Sequence, residues 1–314
     1  MPGPRPIPTI VDCDPGIDDA IALWLAIGSA EIDLRAVTVA GGNVPLPRTG
    51  ANALAITALA GSAVPVFAGA DRPLLGRFAA KPRVHGADGM GGVRLPPGGS
   101  FAPGPAADAI RAVLRAAHAP VTLVGIAPAT NLALALMAEP ELAGRIGEIV
   151  LMAGACSEDD ALPDAPTVEF NAGSDPEALA VLLGCGRPVR LATLELTAQA
   201  LVTAERIGAL RERGSGACLA AACAMLAALP PSARLGGRGA PLHDPCAIAW
   251  LIRPSLFTVR HCAVAVELAP GAGRGRTRCD RRGLSGATAN ATVLESLDPD
   301  VFFDLLGERL ARLP

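Results

Sequence analysis

The chain has 314 residues, of which 27 are Lys or Arg and 30 are Asp or Glu, so its formal net charge is −3. This near-neutral charge gives no overall attraction to nucleic acid, and no apolar run reaches the roughly 18 residues that span a bilayer. Lys81 is the single lysine, in a Gly/Pro-rich stretch without the glycines of a phosphate-binding loop. The composition therefore argues against Schiff-base and P-loop chemistry and against nucleic-acid or membrane partners.

The cysteines and the N-terminus indicate a cellular compartment. The first residues, MPGPRPIP, lack the apolar segment of a signal peptide, and the eight cysteines form no CxxC pair. Several cysteines lie in apolar segments, where a free thiol packs as a small hydrophobic group. We therefore expect a soluble, cytoplasmic protein with reduced cysteines.

Strand-like and helix-like segments alternate through the first two thirds of the chain. The segment IPTIVDCD (7–14) is rich in β-branched residues, and IDDAIALWLAIGSA (17–30) has helical apolar spacing. Further strands are predicted at 32–40, 64–69, 119–127, 148–155 and 187–196, with helices near 51–60, 105–118, 129–138 and 175–184. Short apolar strands that alternate with helices predict a parallel sheet covered on both faces.

The last third of the chain is predicted to be more helical. It contains predicted helices near 203–229, 244–252 and 299–311 and predicted strands near 257–268 and 287–295. No linker or repeat divides the sequence, so residues 1–314 are interpreted as one α/β domain with an open, mostly parallel sheet. The irregular stretch 69–104 is long enough to indicate a functional loop. The Gly/Arg-rich stretch 270–283 lacks the GxGxxG pattern and is interpreted as a solvated surface loop.

Four carboxylates crowd the first predicted strand-to-helix turn, in the sequence VDCDPGIDDA (11–20). Asp12 and Asp14 leave the same face of the strand, whereas Asp18 and Asp19 open the next helix. Acidic residues are common at a helix start, but that preference does not account for Asp12 and Asp14. Four such charges repel one another unless protons or a cation neutralise them, and a hard divalent cation takes oxygen ligands. The turn is therefore predicted to be a functional site.

Further polar side chains follow other predicted strands. They lie where open parallel sheets hold ligands, at the carboxyl ends of the strands. The set comprises Asn43, Asn131, Glu169, Asn171, His243 and Asp244, with His85 in the long loop. Each has a local explanation as a turn residue, a helix cap or a surface histidine, but their shared position favours a site.

The ordered motifs resemble those of the inosine-uridine-preferring nucleoside hydrolase family. They are DCDPGIDDA, VTVAGGN, HGADGMGG, APATNLALAL, EIVLMAGA, VEFNAGSDPEA and PLHDPCAIA, and the aspartate motif is the most specific. The resemblance implies a calcium-dependent enzyme with a modified doubly wound α/β fold. Such an enzyme hydrolyses ribonucleosides to ribose and free nucleobase, and it assembles as a homodimer or homotetramer.

The resemblance also implies a calcium site. Asp14 would be both a Ca²⁺ contact and the general base that activates a calcium-bound water. Asp19 would be a bidentate Ca²⁺ ligand, and Asp244 and the backbone carbonyl of Ile126 would complete the protein ligands.

The same resemblance assigns the substrate contacts. The ribose hydroxyls would be held by Asp18, Asn43, Glu169, Asn171 and Asp244. His243 would protonate the leaving nucleobase, and His85 would lie in a loop that closes near the base. Asp12 would support the carboxylate turn from a position behind it.

The sequence departs from the family pattern at Pro163 and at Ile126 and Ala127, which replace a usual Thr-Gly, and the substrate preference stays open. Pro163 stands where relatives commonly carry an Asn, so a contact near the ribose 5′-hydroxyl is expected to be missing. The segment before His243, LPPSARLGGRGAP, has no aromatic residue to stack on a base. A ribose- or nucleoside-binding protein without turnover is the first alternative. An Asp-x-Asp phosphatase is the second, and it would have to use Lys81.

Overall fold

The computed structural model describes residues 5–78, 84–156 and 168–314. Within those ranges the chain forms one large sheet and one small two-stranded ladder. The strands are β1 (Ile7–Cys13), β2 (Ile32–Val39), β3 (Val66–Ala68), β4 (Val121–Gly125), β5 (Ile146–Met152), β6 (Val189–Ala192), β7 (Leu201–Val202), β8 (Ala240–Pro241), β9 (Phe257–Val266), β10 (Thr277–Asp280) and β11 (Ala291–Leu297).

Helices connect most of these strands. They are α1 (Ile17–Ile27), α2 (Leu46–Leu59), α3 (Ala106–Ala116), α4 (Thr130–Ala138), α5 (Phe170–Ser174), α6 (Pro176–Gly184), α7 (Leu194–Thr197), α8 (Ala204–Arg211), α9 (Ala217–Ala228), α10 (Pro245–Ile252) and α11 (Pro299–Leu310). Short 3₁₀ turns occur at Pro140–Arg145, Ala233–Leu235 and Pro254–Leu256.

The large sheet has the strand order β10-β9-β11-β6-β5-β4-β1-β2-β3. The strands from β11 to β3 in that order pair in parallel, whereas β9 and β10 are antiparallel to their neighbours. The parallel strands therefore end at one common edge, and the loops that follow them meet there. The open, mostly parallel α/β fold predicted from the sequence is confirmed.

The central strands are buried on both faces. In β1, Val11 and Cys13 belong to one apolar core and Ile10 to the other, as the two-residue repeat of a strand requires. Helices α1, α9, α10 and α11 contribute to the first core, and α3, α4 and α6 to the second. Because the central strands are packed on both faces, their carboxyl ends are held in fixed positions.

Three segments differ from the sequence-based expectations. The predicted strand 187–196 ends as β6 at Ala192, and its last residues begin helix α7. The predicted helix 203–229 is two helices, α8 and α9. A Cβ atom on Gly216, between them, would lie 2.6 Å from the Leu313 carbonyl oxygen, so the C-terminal segment packs closely on this break. The stretch 270–283, expected as a solvated loop, contains the edge strand β10. Its alternating buried Thr277 and Cys279 and exposed Arg278 fit a strand paired with β9.

The expectation of reduced cysteines is wrong for one pair. Cys156, just after β5, and Cys279, in β10, form a disulfide across 123 residues of sequence, with Cα atoms 5.2 Å apart. The sequence carries no CxxC spacing to indicate this pair; the two segments meet where the Thr277 hydroxyl accepts the Ala155 N–H at 2.9 Å and donates to the Ala155 carbonyl at 2.7 Å. The other six cysteines are free, and five of those six are buried.

Within the described ranges, no helix combines the length and apolar character required to cross a membrane.

Candidate active site

A cavity of about 450 Å³ opens at the carboxyl edge of the sheet. Most of the residues proposed from the sequence line it, namely Asp18, Asn43, His85, Ile126, Glu169, Asn171, His243 and Asp244. Asp12, Asp14 and Asp19 are buried beside it at the end of β1 and the start of α1, and Asn131, in α4, is buried against Asp12. The fold therefore brings all twelve candidate residues into one region.

The turn between β1 and α1 is organised by Asp19. Its two carboxylate oxygens accept hydrogen bonds from the backbone N–H groups of Asp14, at 3.0 Å, and of Gly16, at 2.9 Å. These N–H groups precede the helix and would otherwise be unpaired. The Pro15–Gly16 break thus folds the chain back so that Asp14 and Asp19, five residues apart, share one turn.

Asn43 connects the end of β2 to the same turn. Its backbone N–H donates to Asp14 Oδ2 at 2.6 Å, and its side-chain Nδ2 donates to the Asp14 carbonyl and to Asp19 Oδ2, each at 3.2 Å. Gly42 is essential to this approach, because a Cβ atom there would overlap the Asp14 carboxylate. Asn43 therefore orients two carboxylates from one position.

Asp12 is held on the inner side of the turn. Its Oδ1 accepts hydrogen bonds from the Thr38 hydroxyl at 2.6 Å and from Asn131 Nδ2 at 2.8 Å. The Asn131 Oδ1 accepts the N–H of Ala70 at 2.8 Å, which ties the long 69–104 loop to the same network. Asn131 is thus a partner of Asp12 rather than a helix cap, and sequence reasoning missed the contribution of Thr38.

Burial and mutual repulsion disfavour ionisation throughout this cluster. Desolvation raises the pKa of Asp12 to about 7 against the hydrogen bonds of Thr38 and Asn131, and desolvation together with the Asp18 charge raises that of Asp19 to about 7. The pKa values of Asp14 and Asp244 are also raised well above the usual range, first by burial and then by neighbouring aspartates. The hydrogen bonds described above for these aspartates come from backbone N–H groups and from Asn and Thr side chains, and none comes from a basic side chain.

The donor set fits a hard cation. Asp18, Asp19 and Asp244 each offer a carboxylate oxygen, and these oxygens lie within 4.8 Å of one another. Among the described residues, Asp14 Oδ1 and Asp18 Oδ1 are buried without a hydrogen-bond partner. Oxygen-rich, anionic and unsatisfied groups of this kind are the ligands that Ca²⁺ and Mg²⁺ prefer. Asp18, assigned to the ribose by resemblance, thus lies within reach of the cation position as well.

Glu169 and Asn171 flank Phe170 at the start of α5. The Glu169 carboxylate accepts backbone N–H groups from Gly154, Asn171 and Ala172 at 2.8–3.0 Å. Asn171 Nδ2 donates to the carbonyls of Ile126, at 3.1 Å, and Met152, at 2.9 Å. These bonds join the ends of β4 and β5 to α5, and both side chains face the cavity.

Two histidines line the cavity at separate positions. His85 Nδ1 accepts the N–H of Ile17 at 3.2 Å and lies 3.8 Å from Asp18 Oδ1. Its loop turns through Gly86, Gly89, Gly91 and Gly92, all with positive φ, which only glycine adopts readily. His243 Nδ1 lies 2.7 Å from the hydroxyl of Thr197. The long 69–104 loop therefore carries a site residue, as predicted.

The outer part of the cavity contains residues that sequence reasoning did not identify. Leu194 and Glu195 come from α7, Ala198 directly follows it, and Leu229 and Arg234 come from the segment before β8. Phe170 is the one aromatic side chain among the described lining residues. Glu195 accepts the N–H of Cys156 at 3.0 Å, next to the disulfide. Pro163 and Lys81 lie outside the described residues.

Comparisons with known proteins agree with this geometry. The sequence profile of the family described as inosine-uridine preferring nucleoside hydrolase matches residues 9–304. The chain is 42% identical to the pyrimidine-specific ribonucleoside hydrolase RihA of Shewanella woodyi, over 96% of this chain and 97% of that protein. It is 40% identical to the RihA of Salmonella paratyphi B, over 97% and 98% of the two chains.

Solved structures show the same likeness in three dimensions. A purine-preferring ribonucleoside hydrolase from Gardnerella vaginalis superposes with a TM-score of 0.85 at 30% identity, covering 96% of this chain and 98% of that one. The plant nucleoside hydrolase PpNRh1 superposes with a TM-score of 0.86 at 29% identity, covering 98% and 99%. On its motifs, its fold and these relatives, the chain belongs to the inosine-uridine-preferring nucleoside hydrolase family.

Proposed function

We propose that the protein hydrolyses the N-glycosidic bond of ribonucleosides in this cavity, and that Asp14 and His243 carry the proton transfers. The single observation that carries the proposal is the buried aspartate cluster at the β1–α1 turn, which lies beside the cavity that Asp18, His243 and Asp244 line. Family membership makes the reaction class hydrolysis of an N-glycosyl bond. The residue roles are our own assignment.

We further propose that Ca²⁺ is the resident cation and that Asp14, Asp19, Asp244 and the Ile126 carbonyl hold it, with Asp18 in reach. The unsatisfied buried oxygens of Asp14 and Asp18 support a cation in this position. When bound, a divalent cation lowers the pKa of water and orients the ribose hydroxyls. It would also remove the repulsion that raises the carboxyl pKa values.

Asp14 has the placement of a general base. Its Oδ2 is fixed by the Asn43 N–H, while Oδ1 is buried without a hydrogen-bond partner in the described chain. The unengaged Oδ1 can therefore accept a proton from the attacking water. Positive charge develops on the sugar as the bond to the base lengthens, and the surrounding carboxylates stabilise that charge.

Ribose recognition follows from the polar floor of the cavity. Asp18, Asn43, Glu169, Asn171 and Asp244 present acceptors and amide donors around it. If they bind the vicinal hydroxyls, a 2′-deoxyribonucleoside leaves buried polar groups unpaired, which typically lowers kcat/KM by about 10⁴-fold or more. We therefore expect uridine hydrolysis and almost none of 2′-deoxyuridine, measured as reducing sugar released.

We propose pyrimidine ribonucleosides as the preferred substrates. The support is the 40–42% identity to two proteins named as pyrimidine-specific, against 30% to one named as purine-preferring. The test is kcat/KM for uridine, cytidine, inosine and guanosine, each with added Ca²⁺ and with a chelator. A rate for inosine above that for uridine would contradict the preference, and no ribose release from any of the four would contradict the function.

The binding-protein alternative makes a different prediction in the same experiment. A binding protein should bind nucleosides in a cation-dependent manner and release no ribose over hours. The phosphatase alternative gains no support from the family match. A homodimer or homotetramer, measurable by light scattering, and a cytoplasmic location both remain predictions from the sequence.

A further inference from the structure

Thr197 ends helix α7 and its side chain meets His243. The residue is fully buried, and its hydroxyl oxygen lies 2.7 Å from His243 Nδ1 and 3.3 Å from the Leu194 carbonyl oxygen. A distance of 2.7 Å is that of a short, well-formed hydrogen bond. Thr197 thus makes a specific polar contact to a side chain that lines the cavity.

The two partners are held in place by separate backbone contacts. The Thr197 N–H donates to the Thr193 carbonyl at 3.0 Å, and the Ala200 N–H donates to the Thr197 carbonyl at 3.1 Å. On the other side, Leu242, the residue before His243, donates its N–H to the Ala200 carbonyl at 2.9 Å. The β7–β8 ladder joins the same two segments. The contact therefore connects two anchored elements rather than two mobile loops.

A hydroxyl bound at Nδ1 determines how the imidazole is presented. An imidazole has two nitrogens on different sides of its ring, and a partner at one fixes the direction of the other. With Nδ1 engaged by Thr197, the nitrogen that serves a leaving nucleobase is Nε2. Without that partner the ring loses one restraint on its rotation, and a rotated ring is poorly placed for proton transfer.

We propose that Thr197 is a positioning residue that orients the His243 imidazole toward the leaving nucleobase. This inference rests on the role proposed above for His243. As the bond between C1′ and the base nitrogen breaks, its electron pair stays on the base, which takes the proton of His243 Nε2. The water oxygen bonds to C1′, and its proton goes to Asp14.

The test uses two substrates with different leaving groups. Uracil leaving from uridine needs a proton, whereas p-nitrophenolate leaving from p-nitrophenyl β-D-riboside is a stable anion and needs none. Loss of an orienting partner of this kind typically costs about 10- to 100-fold. We expect Thr197→Val to lower kcat for uridine by that factor, with KM little changed. The rate with p-nitrophenyl riboside should stay close to that of the unaltered protein, and Thr197→Ser should restore most of the uridine rate.

Thr193→Val is the matched control. Thr193 is equally buried, lies at the other end of α7, and its hydroxyl has no hydrogen-bond partner among the described residues. Its replacement removes a buried hydroxyl without touching His243, so both rates should remain unchanged. If Thr197→Val loses the ability to fold, Thr197→Ala is measured instead, and retained p-nitrophenyl riboside hydrolysis reports an intact ribose site.

The outcomes separate this inference from the proposed function. His243→Ala should lower the uridine rate and spare p-nitrophenyl riboside, and adding Thr197→Val to it should cause little further loss. If His243→Ala shows that pattern but Thr197→Val behaves like Thr193→Val, the positioning role is wrong and the proposed function stands. Equal losses on both substrates would also overturn the positioning role. If His243→Ala leaves uridine hydrolysis unchanged, the role of His243 fails and the inference fails with it.

Discussion

Asp14 combines burial, a raised pKa and a short hydrogen bond from Asn43, and these properties have opposite effects on activity and stability. A buried carboxylate near Asp19 destabilises the cation-free fold, because neither water nor a basic partner offsets its charge. The same carboxylate is the base that the reaction requires. Function and stability therefore make conflicting demands on one side chain.

We expect Asp14→Asn to lower kcat for uridine by about 10³-fold or more, because the amide cannot accept the proton. The amide oxygen can still accept the Asn43 N–H, so the fold should persist. In the cation-free protein the melting temperature should rise, since the amide cannot ionise beside the neighbouring aspartates. Asp71→Asn, at an exposed acidic residue, is the control and should change neither quantity. Near-full activity of Asp14→Asn would contradict the assignment of the base.

The raised carboxyl pKa values also predict how stability depends on pH. In the cation-free protein, Asp12 and Asp19 release their protons near pH 7, whereas unfolded aspartates do so near pH 4. Between those values the folded chain binds more protons than the unfolded chain, so its free energy of unfolding falls as pH rises. Thermal unfolding with a chelator should show a higher melting temperature at pH 5 than at pH 8.

Added Ca²⁺ should reverse this dependence, because a cation binds the ionised carboxylates and competes with protons. Calcium should therefore raise the melting temperature strongly at pH 8 and little at pH 5. A cation-free protein that is more stable at pH 8 than at pH 5 would contradict the raised pKa values. An unchanged melting temperature with Ca²⁺ at pH 8 would contradict the cation site.

At the scale of elements, the site depends on how closely the loop after β2 approaches the β1–α1 turn. Gly42 permits that approach, and a side chain there would push into the Asp14 carboxylate. We expect Gly42→Ala to lower both kcat and calcium affinity by at least about 10-fold, because Asp14 and Asn43 must separate. Gly144→Ala, where a Cβ atom meets nothing within 4 Å, is the matched control and should leave both values unchanged. Calcium titration and uridine kinetics measure the two effects, and normal values for Gly42→Ala would show that the turn can shift without loss.

The helices and strands also show which parts of the site can be predicted from the sequence. Asp12, Asp14, Asp18 and Asp19 lie within eight residues, so strand alternation and helix-start preferences predict their cluster. Thr197 is a different case, since its partner His243 is 46 residues away. A threonine in an apolar segment also looks like an ordinary strand or helix residue. Nothing local distinguishes it from Thr193, whose hydroxyl has no partner.

Local sequence does not show contacts between distant segments, and this also explains the errors in the predicted fold. The Arg residues of 270–283 dominate its composition and indicate exposure, although the alternation of Thr277, Arg278 and Cys279 fits an edge strand. The strand exists because β9 pairs with it, and pairing over a distance is not encoded in local composition. The parallel core was predictable because its strands are short, apolar and regularly separated by helices.

At the scale of the molecule, the Cys156–Cys279 disulfide joins the edge strand β10 to the loop at the end of β5. We expect alkylation of the denatured, unreduced protein to modify six of the eight cysteines, and all eight after reduction. Mass spectrometry gives the count directly, and peptide mapping identifies the pair. Reduction should lower the melting temperature, because a cross-link over a long loop restricts the unfolded chain. Labelling of all eight without reductant would contradict the disulfide.

The position of β11 has a consequence for how the molecule is made. This strand comes from residues 291–297, yet it lies inside the sheet, between β6 and β9. During synthesis, β6 has no partner on that side until the chain through β11 has left the ribosome. A nascent chain at this stage carries an open, apolar strand edge, which is the kind of surface that chaperones protect and that aggregates when left exposed. Completion of the sheet by β11 thus makes residues 291–297 decisive for the yield of folded protein.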